Sequence, residues 1–211
     1  MGGATGSLLT GANATVAIGT LAWGYADGNT GNGVYIGYKA GAYDTNGGNT
    51  AIGYRAMEVA SGSTMTQNTA VGTNAMHNIS YANSNSNVAI GYNALKGGAV
   101  TGAVQYNIAI GGSNLYQITS GTNNVAIGGN SVLSALTSGA SNVAISRGAG
   151  QSITTTSECI LIGADAGNLL NGTGPNGSIA IGKAALSVHT DGARNIAIGW
   201  EAMHDTNAGS T

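Results

Sequence analysis

The sequence predicts an all-β chain, a parallel β-roll or β-solenoid of about eleven coils with about 18 residues in each. Three observations carry that reading. Glycine makes up 37 of the 211 residues, one short motif recurs along nearly the whole length, and a Val, Ile or Thr stands at the same place in every copy.

The composition first narrows the field. Globular proteins typically carry roughly 7% Gly and about 25% charged residues; this chain is only 7% charged, with one Pro and no Phe. A hydrophobic content of 42% and a net charge of −2 exclude a disordered chain, which combines low hydrophobicity with high net charge. Collagen is excluded because Gly does not fall at every third position and Pro is scarce. Six basic residues spread over the whole length give no electrostatic footprint for nucleic acid. The single cysteine, Cys159, leaves neither a disulfide framework nor a thiolate zinc cage. No apolar run approaches the ~20 residues that span a bilayer, and the opening MGGATGSLLTGANATVAIG has no charged region followed by a long apolar one.

The repeat is plain in NTAIGYRAM (49–57), NTAVGTNAM (68–76), NVAIGYNAL (87–95), NIAIGGSNL (107–115) and NIAIGWEAM (195–203). Weaker copies fill the rest. The aliphatic marker before the central Gly recurs from Ile18 to Ile198 with a mean period of 18 residues and a range of 16 to 20. Such a unit is too short for helical-hairpin or propeller repeats, which need roughly 33–50 residues. Interior Gly also disfavours helix, by about 1 kcal/mol each relative to Ala. The residue two before the marker is Val, Ile or Thr in all eleven copies, which is strand chemistry. Each coil is therefore read as a strand V-A-I ending at Gly, a second short strand carrying x-x-Ala-Leu/Met, and a polar return loop. Stacked at ~4.8 Å, the coils make a rod roughly 50 Å long.

Stacking turns repeat positions into columns. The β-branched and marker columns lie two residues apart, so they share one strand face and are expected to fill the coil interior. The residue between them is Ala in nine copies, with Tyr35 and Leu161 as exceptions. A column of small apolar residues on the other face implies a close interface, and the expectation is that Ala51, Ala70, Ala89, Ala109, Ala126, Ala144, Ala180 and Ala197 pack against other copies of the chain. Asn precedes the strand in seven copies; it tolerates left-handed backbone and, stacked, forms hydrogen-bonded ladders. Cys159 occupies that column as a small turn residue. Gly follows the marker in ten of eleven copies, which requires either positive φ or a neighbour too close for a Cβ.

The motif N-[VIT]-A-I-G-x-x-A-[LM] resembles the head repeat of trimeric autotransporter adhesins. In its longer period and the phrase NTAIGYxAL it is more similar to repeats of bacteriophage tail-fibre proteins. The resemblance covers residues 15–203 and implies a homotrimeric, left-handed parallel β-roll, intertwined or side by side, that serves as a cell-attachment fibre. The signal peptide, stalk and anchor of the adhesins have no counterpart in these residues, nor has the self-cleaving chaperone that ends many such fibres; the chain reads as a mature product or a fragment. Residues 1–14 are expected to be a cap or connector, 15–203 one repeat domain, and 204–211 a second connector.

Catalytic chemistry finds little footing. Asp165 and Glu201 share a column two coils apart, roughly 9.6 Å by strand spacing, marginally beyond the ~6.5–9.5 Å of an inverting glycosidase pair. Asp27, Asp44, Glu58, Glu158, Asp191 and Asp205 are read as single acids in loops or second strands. His77 and His204 share a position but lie about 34 Å apart by strand spacing, too far to hold one metal within a chain. Neither the Asp-rich calcium roll nor a GxSxG, HExxH or Walker sequence occurs. The position two after the marker is more informative, because it carries Tyr38, Tyr54, Tyr92 and Trp200, with Lys39 and Arg55 following the first two. Aromatic faces beside basic donors suit a sugar or an anionic glycan; Tyr covering an outer edge or a subunit seam is the structural alternative.

The expected function is a structural and adhesive segment of a phage tail fibre, as shaft or receptor-binding region, on the virion. Its expected partners are two more copies of itself, a host cell-surface glycan or protein, and neighbouring fibre proteins, with no nucleic acid, membrane insertion, cofactor, metal or catalysis. The alternatives are a bacterial trimeric surface adhesin and a polysaccharide-cleaving tailspike. Ice binding needs a regular Thr column, whereas only Thr50 and Thr69 are consecutive in the β-branched column.

Overall fold

The computed structural model describes residues 15–25, 32–59, 64–170, 176–188 and 192–204. The expected terminal connectors, apart from His204, lie outside the described residues, as do Asp27, Asp191 and Asp205. The fold is an all-β parallel solenoid, with no helix among the described residues. Its strands are β1 (Val16–Ile18), β2 (Val34–Ile36), β3 (Thr50–Ile52), β4 (Thr69–Val71), β5 (Val88–Ile90), β6 (Ile108–Gly112), β7 (Val125–Asn130), β8 (Val143–Ile145), β9 (Ile160–Ile162), β10 (Ile179–Ile181) and β11 (Ile196–Ile198). They form one sheet in chain order. Every pairing is parallel and aligns the β-branched, middle and marker residues of one copy with those of the next, so the repeat period and the register agree. Past Ile110 the pairing of β6 with β7 shifts, so that Gly112 faces Asn130 and β7 carries one residue more.

The faces of this sheet are the reverse of the expected ones. The Ala column points into the solenoid and is buried from β3 to β10, while the β-branched and marker columns point outward. The Ala residues expected at a subunit interface (Ala51, Ala70, Ala89, Ala109, Ala126, Ala144, Ala180 and Ala197) are thus core residues of their own chain. Volume explains the reversal. Large side chains come from the opposite wall, namely Met57, Met76, Leu95, Leu115, Leu133 and Leu186, backed by Met65, Ile79, Val104, Ile118, Leu136, Ile153 and Leu170. A thin coil holds one large residue across its width, so the strand side must be small. The two exceptions obey the same rule. A Cβ on Gly41 would stand 2.0 Å from the Tyr35 ring, and one on Gly167 would stand 2.6 Å from Leu161. Where the strand supplies bulk, the facing wall supplies glycine.

That facing wall is not the second strand anticipated above. It is a turn-like arc in which positive φ alternates with ordinary φ: Arg55 (54°) and Met57 (55°), Asn74 (54°) and Met76 (54°), Asn93 (54°) and Leu95 (49°). Left-handed backbone costs an L-residue about 1–2 kcal/mol, and inter-coil hydrogen bonds offset it. Arg55 N–H donates back to Tyr38 O at 2.8 Å, and Met57 N–H donates forward to Ala75 O at 2.8 Å. Each arc is stitched to both neighbours by this alternation.

The glycine column satisfies both of its anticipated causes. Gly53 has φ +136°, and a Cβ there would stand 2.6 Å from Gly72 O of the next coil. The Asn ladder is also present. Asn68 donates its backbone N–H and its Nδ2 to Asn49 Oδ1, at 2.8 and 3.2 Å, and the pattern continues through Asn87, Asn107, Asn124 and Asn142. Each Nδ2 also reaches a return-loop carbonyl, as from Asn87 to Val104 O at 2.8 Å and from Asn142 to Thr156 O at 2.8 Å. The ladder therefore ties loop to strand within a coil and coil to coil along the rod. At Cys159 the column passes to a buried thiol, whose pKa burial pushes up, and the Cys159 N–H donates to Asn142 Oδ1 at 3.0 Å.

Candidate functional site

Three columns meet where each strand turns into its arc, at the positions two, three and six after the marker. Over β2 to β6 they bring together Tyr38, Tyr54 and Tyr92; Lys39, Arg55, Asn74 and Asn93; and Glu58, His77, Lys96 and Tyr116. The left-handed residue three after the marker curls the arc, so side chains three apart become neighbours, as Arg55 and Glu58 do.

Tyr38 and Tyr54 stack with ring centroids 5.3 Å apart and planes 16° apart. They are 41% and 51% exposed. A second pair, Tyr25 and Tyr43, stacks at 4.9 Å. Lys39 and Arg55 do lie beside the first pair, but neither is independent: Lys39 Nζ bonds Glu58 Oε1 at 3.1 Å, and Arg55 Nε bonds Glu58 Oε2. Glu58, read above as a single acid, is thus the centre of a cluster. Burial pushes its carboxyl up, yet the bonds from Arg55 and Lys39 outweigh burial and hold it below the usual carboxylate range. The Glu58 contacts raise both cations in turn.

His77 lies against the same carboxylate, with Nε2 3.7 Å from Glu58 Oε2. Burial lowers its pKa, and the positive charges of Arg55, Lys96 and Lys39 add to the effect while Glu58 opposes it. Lys96 Nζ sits 5.1 Å from the centroid of the Tyr116 ring and bonds its hydroxyl at 3.3 Å. Tyr92, 61% exposed, lies in the Tyr54 column two coils further on. Trp200, 68% exposed, stands far along the rod under Lys183 Nζ at 4.4 Å and does not join this group.

Asp44, read above as a single acid in a loop or second strand, is a core group. It is fully buried and accepts from Tyr35 Oη at 2.6 Å and Asn49 Nδ2 at 2.8 Å. The Asn ladder therefore begins on a carboxylate. Burial raises the Asp44 pKa against those two bonds, and burial followed by the Asp44 charge raises that of Tyr35. Trp23 stacks on Tyr35 at 5.8 Å and donates Nε1–H to Asp44 O at 3.1 Å.

Of the possible catalytic acids, Asp165 pairs with Arg147 Nη2 at 2.9 Å in an exposed ion pair. Among the described residues no group of three or more His, Cys, Asp or Glu is placed to hold a metal ion. The sequence reading took Glu58, Asp44 and His77 separately and left Lys96 out. A signal for the cluster was available, because Glu58, His77 and Lys96 share the position six after the marker. Set against protein-family models, curated proteins and solved structures, the chain matches none of them.

Proposed function

We propose that the chain is a structural and adhesive segment of a phage tail fibre that assembles through its outward sheet face and meets the host through its loop and aromatic surfaces. The observation that carries this reading is the outward face itself. It consists of Val, Ile and two Thr over eleven strands, without a charged residue, and Ile198 at one end is 67% exposed. Contiguous apolar surface of that extent marks an interaction site. A second copy of the chain fits it best, because only a surface with the same inter-strand repeat matches it coil for coil. The number three comes from the resemblance to trimeric fibre repeats. Repetition then supplies avidity, which suits attachment better than catalysis.

Light scattering at micromolar concentration tests the assembly, with two variants compared. Ile90→Glu places a charge on the outward face and is expected to yield folded monomers with unchanged far-ultraviolet dichroism. Ala109→Leu overpacks the chain's own core and is expected to cost roughly 1–3 kcal/mol of folding stability. A parent chain that is monomeric and well folded overturns the reading.

A further inference from the structure

We propose that the corner formed by Tyr38, Tyr54 and Arg55 binds an acidic saccharide, one bearing a carboxylate or phosphate group. The inference rests on the adhesive reading and names its ligand class.

Charge is the first argument. The chain carries a net −2 with only six basic residues, yet Lys39 and Arg55 stand at this corner and Lys96, turned to the Tyr116 hydroxyl, is close enough to bear on His77 as they do. Glu58 neutralises one of the three, and His77 is held toward its neutral form by the surrounding cations. The corner is therefore net positive on a negative molecule.

Geometry is the second. Arg55 spends its Nε on Glu58 and keeps its two Nη groups without a hydrogen-bond partner among the described residues. A guanidinium held at one edge presents the fork that takes a carboxylate or phosphate in two parallel bonds. Beside it, the Tyr38–Tyr54 stack exposes an amphipathic aromatic surface of the kind that covers the apolar face of a sugar ring. In this arrangement Glu58 acts as a positioning residue: it orients Arg55 and Lys39 and moderates the charge that the ligand meets.

The test uses the full chain with three probes in a binding titration: oligogalacturonate, its methyl ester, which keeps the sugar and removes the charge, and a phosphate-bearing oligosaccharide. At least one acidic probe is expected to bind, with affinity falling steeply as salt rises, and the ester is expected to bind at least tenfold more weakly. Arg55→Gln should weaken acidic binding tenfold or more. Glu58→Gln should strengthen it severalfold, because the Gln amide oxygen still accepts from Arg55 Nε while the negative charge that repels the ligand is gone; a merely structural role would make both substitutions weaken it. Equal binding of acid and ester, loss of binding in both variants, or no binding to any probe overturns the proposal. If the parent chain still adheres to host cells in the last case, the adhesive reading stands while the acidic-saccharide corner falls.

Discussion

The region around β2 to β5 and the region around β8 to β11 share one scaffold and use it differently. Both place one oversized residue in the Ala column, Tyr35 in the first and Leu161 in the second, and both clear room with glycine on the facing arc, at Gly41 and at Gly150 with Gly167. The first adds polar chemistry to that packing. Tyr35 reaches a buried carboxylate, and the corner outside joins Lys39, Arg55, Glu58 and His77. The second carries one exposed ion pair, Arg147 with Asp165, and Trp200 beneath Lys183. A repeat scaffold fixes where side chains stand; the identity of a few columns over four or five coils decides whether a stretch is scaffold alone.

The strongest way to break the comparison is to remove the oversized residues. Tyr35→Ala should cost about 3–5 kcal/mol and Leu161→Ala about 2–5 kcal/mol by cavity formation, read from denaturant unfolding. Restoring the common pattern sharpens the difference. Leu161→Ala with Gly167→Leu should recover most of the loss, since the left-handed position of Gly167 (φ 58°) holds Leu or Met in other coils. Tyr35→Ala with Gly41→Met should recover less, because Asp44 loses its phenol donor.

Next in size is a pH effect with opposite signs at neighbouring groups. The Asp44 pKa is raised in the fold, so its stabilising contribution is complete below the ordinary value of about 3.9 and is lost as pH rises through the folded value. Glu58 and His77 are lowered, so theirs is complete above about 4.3 and about 6.5 and is lost as pH falls through the folded values. Asp44→Asn should therefore remove the loss of stability that accompanies rising pH and move the pH of maximum stability upward. Melting temperatures from pH 4 to 8 check the direction.

The smallest effects belong to the second region. Ala184→Gly at φ 56° should stabilise by about 1 kcal/mol, because glycine relieves the left-handed strain. Arg147→Ala should change stability by less than about 1 kcal/mol, as an exposed pair does. A larger loss on removing Arg147 would erase the contrast between the two regions.

Period, strand placement, register, the glycine column and the Asn ladder were all legible in the residues, because each follows from a side chain recurring at one repeat position. The inward face was not read correctly. A strand of Val-Ala-Ile is apolar on both sides, so alternation alone does not say which side is in. Volume does, and its trace was present in the pairing of Tyr35 with Gly41 and of Leu161 with Gly167. The arc escaped because left-handed Met57, Leu95 and Leu115 contradict local preference and persist only through bonds to adjacent coils. The Glu58 cluster escaped for the same reason, since its three-residue neighbours meet only on that arc.

The Asn ladder has a mechanical consequence. Tension along the rod passes from one coil to the next, so the load each junction bears is the same and the weakest junction yields first. From Asn49 to Asn142, junctions are reinforced by an amide that grips both the preceding coil and its own return loop. At Cys159 a thiol takes the place of the side-chain amide; it reaches Ser157 O of its own coil at 3.5 Å and the backbone of Gly177 and Ser178 in the next, while Asn142 Oδ1 still holds the Cys159 N–H. Junctions along that stretch therefore share a pull between backbone bonds and side-chain amides, and the coils that carry the aromatic corner stand on it.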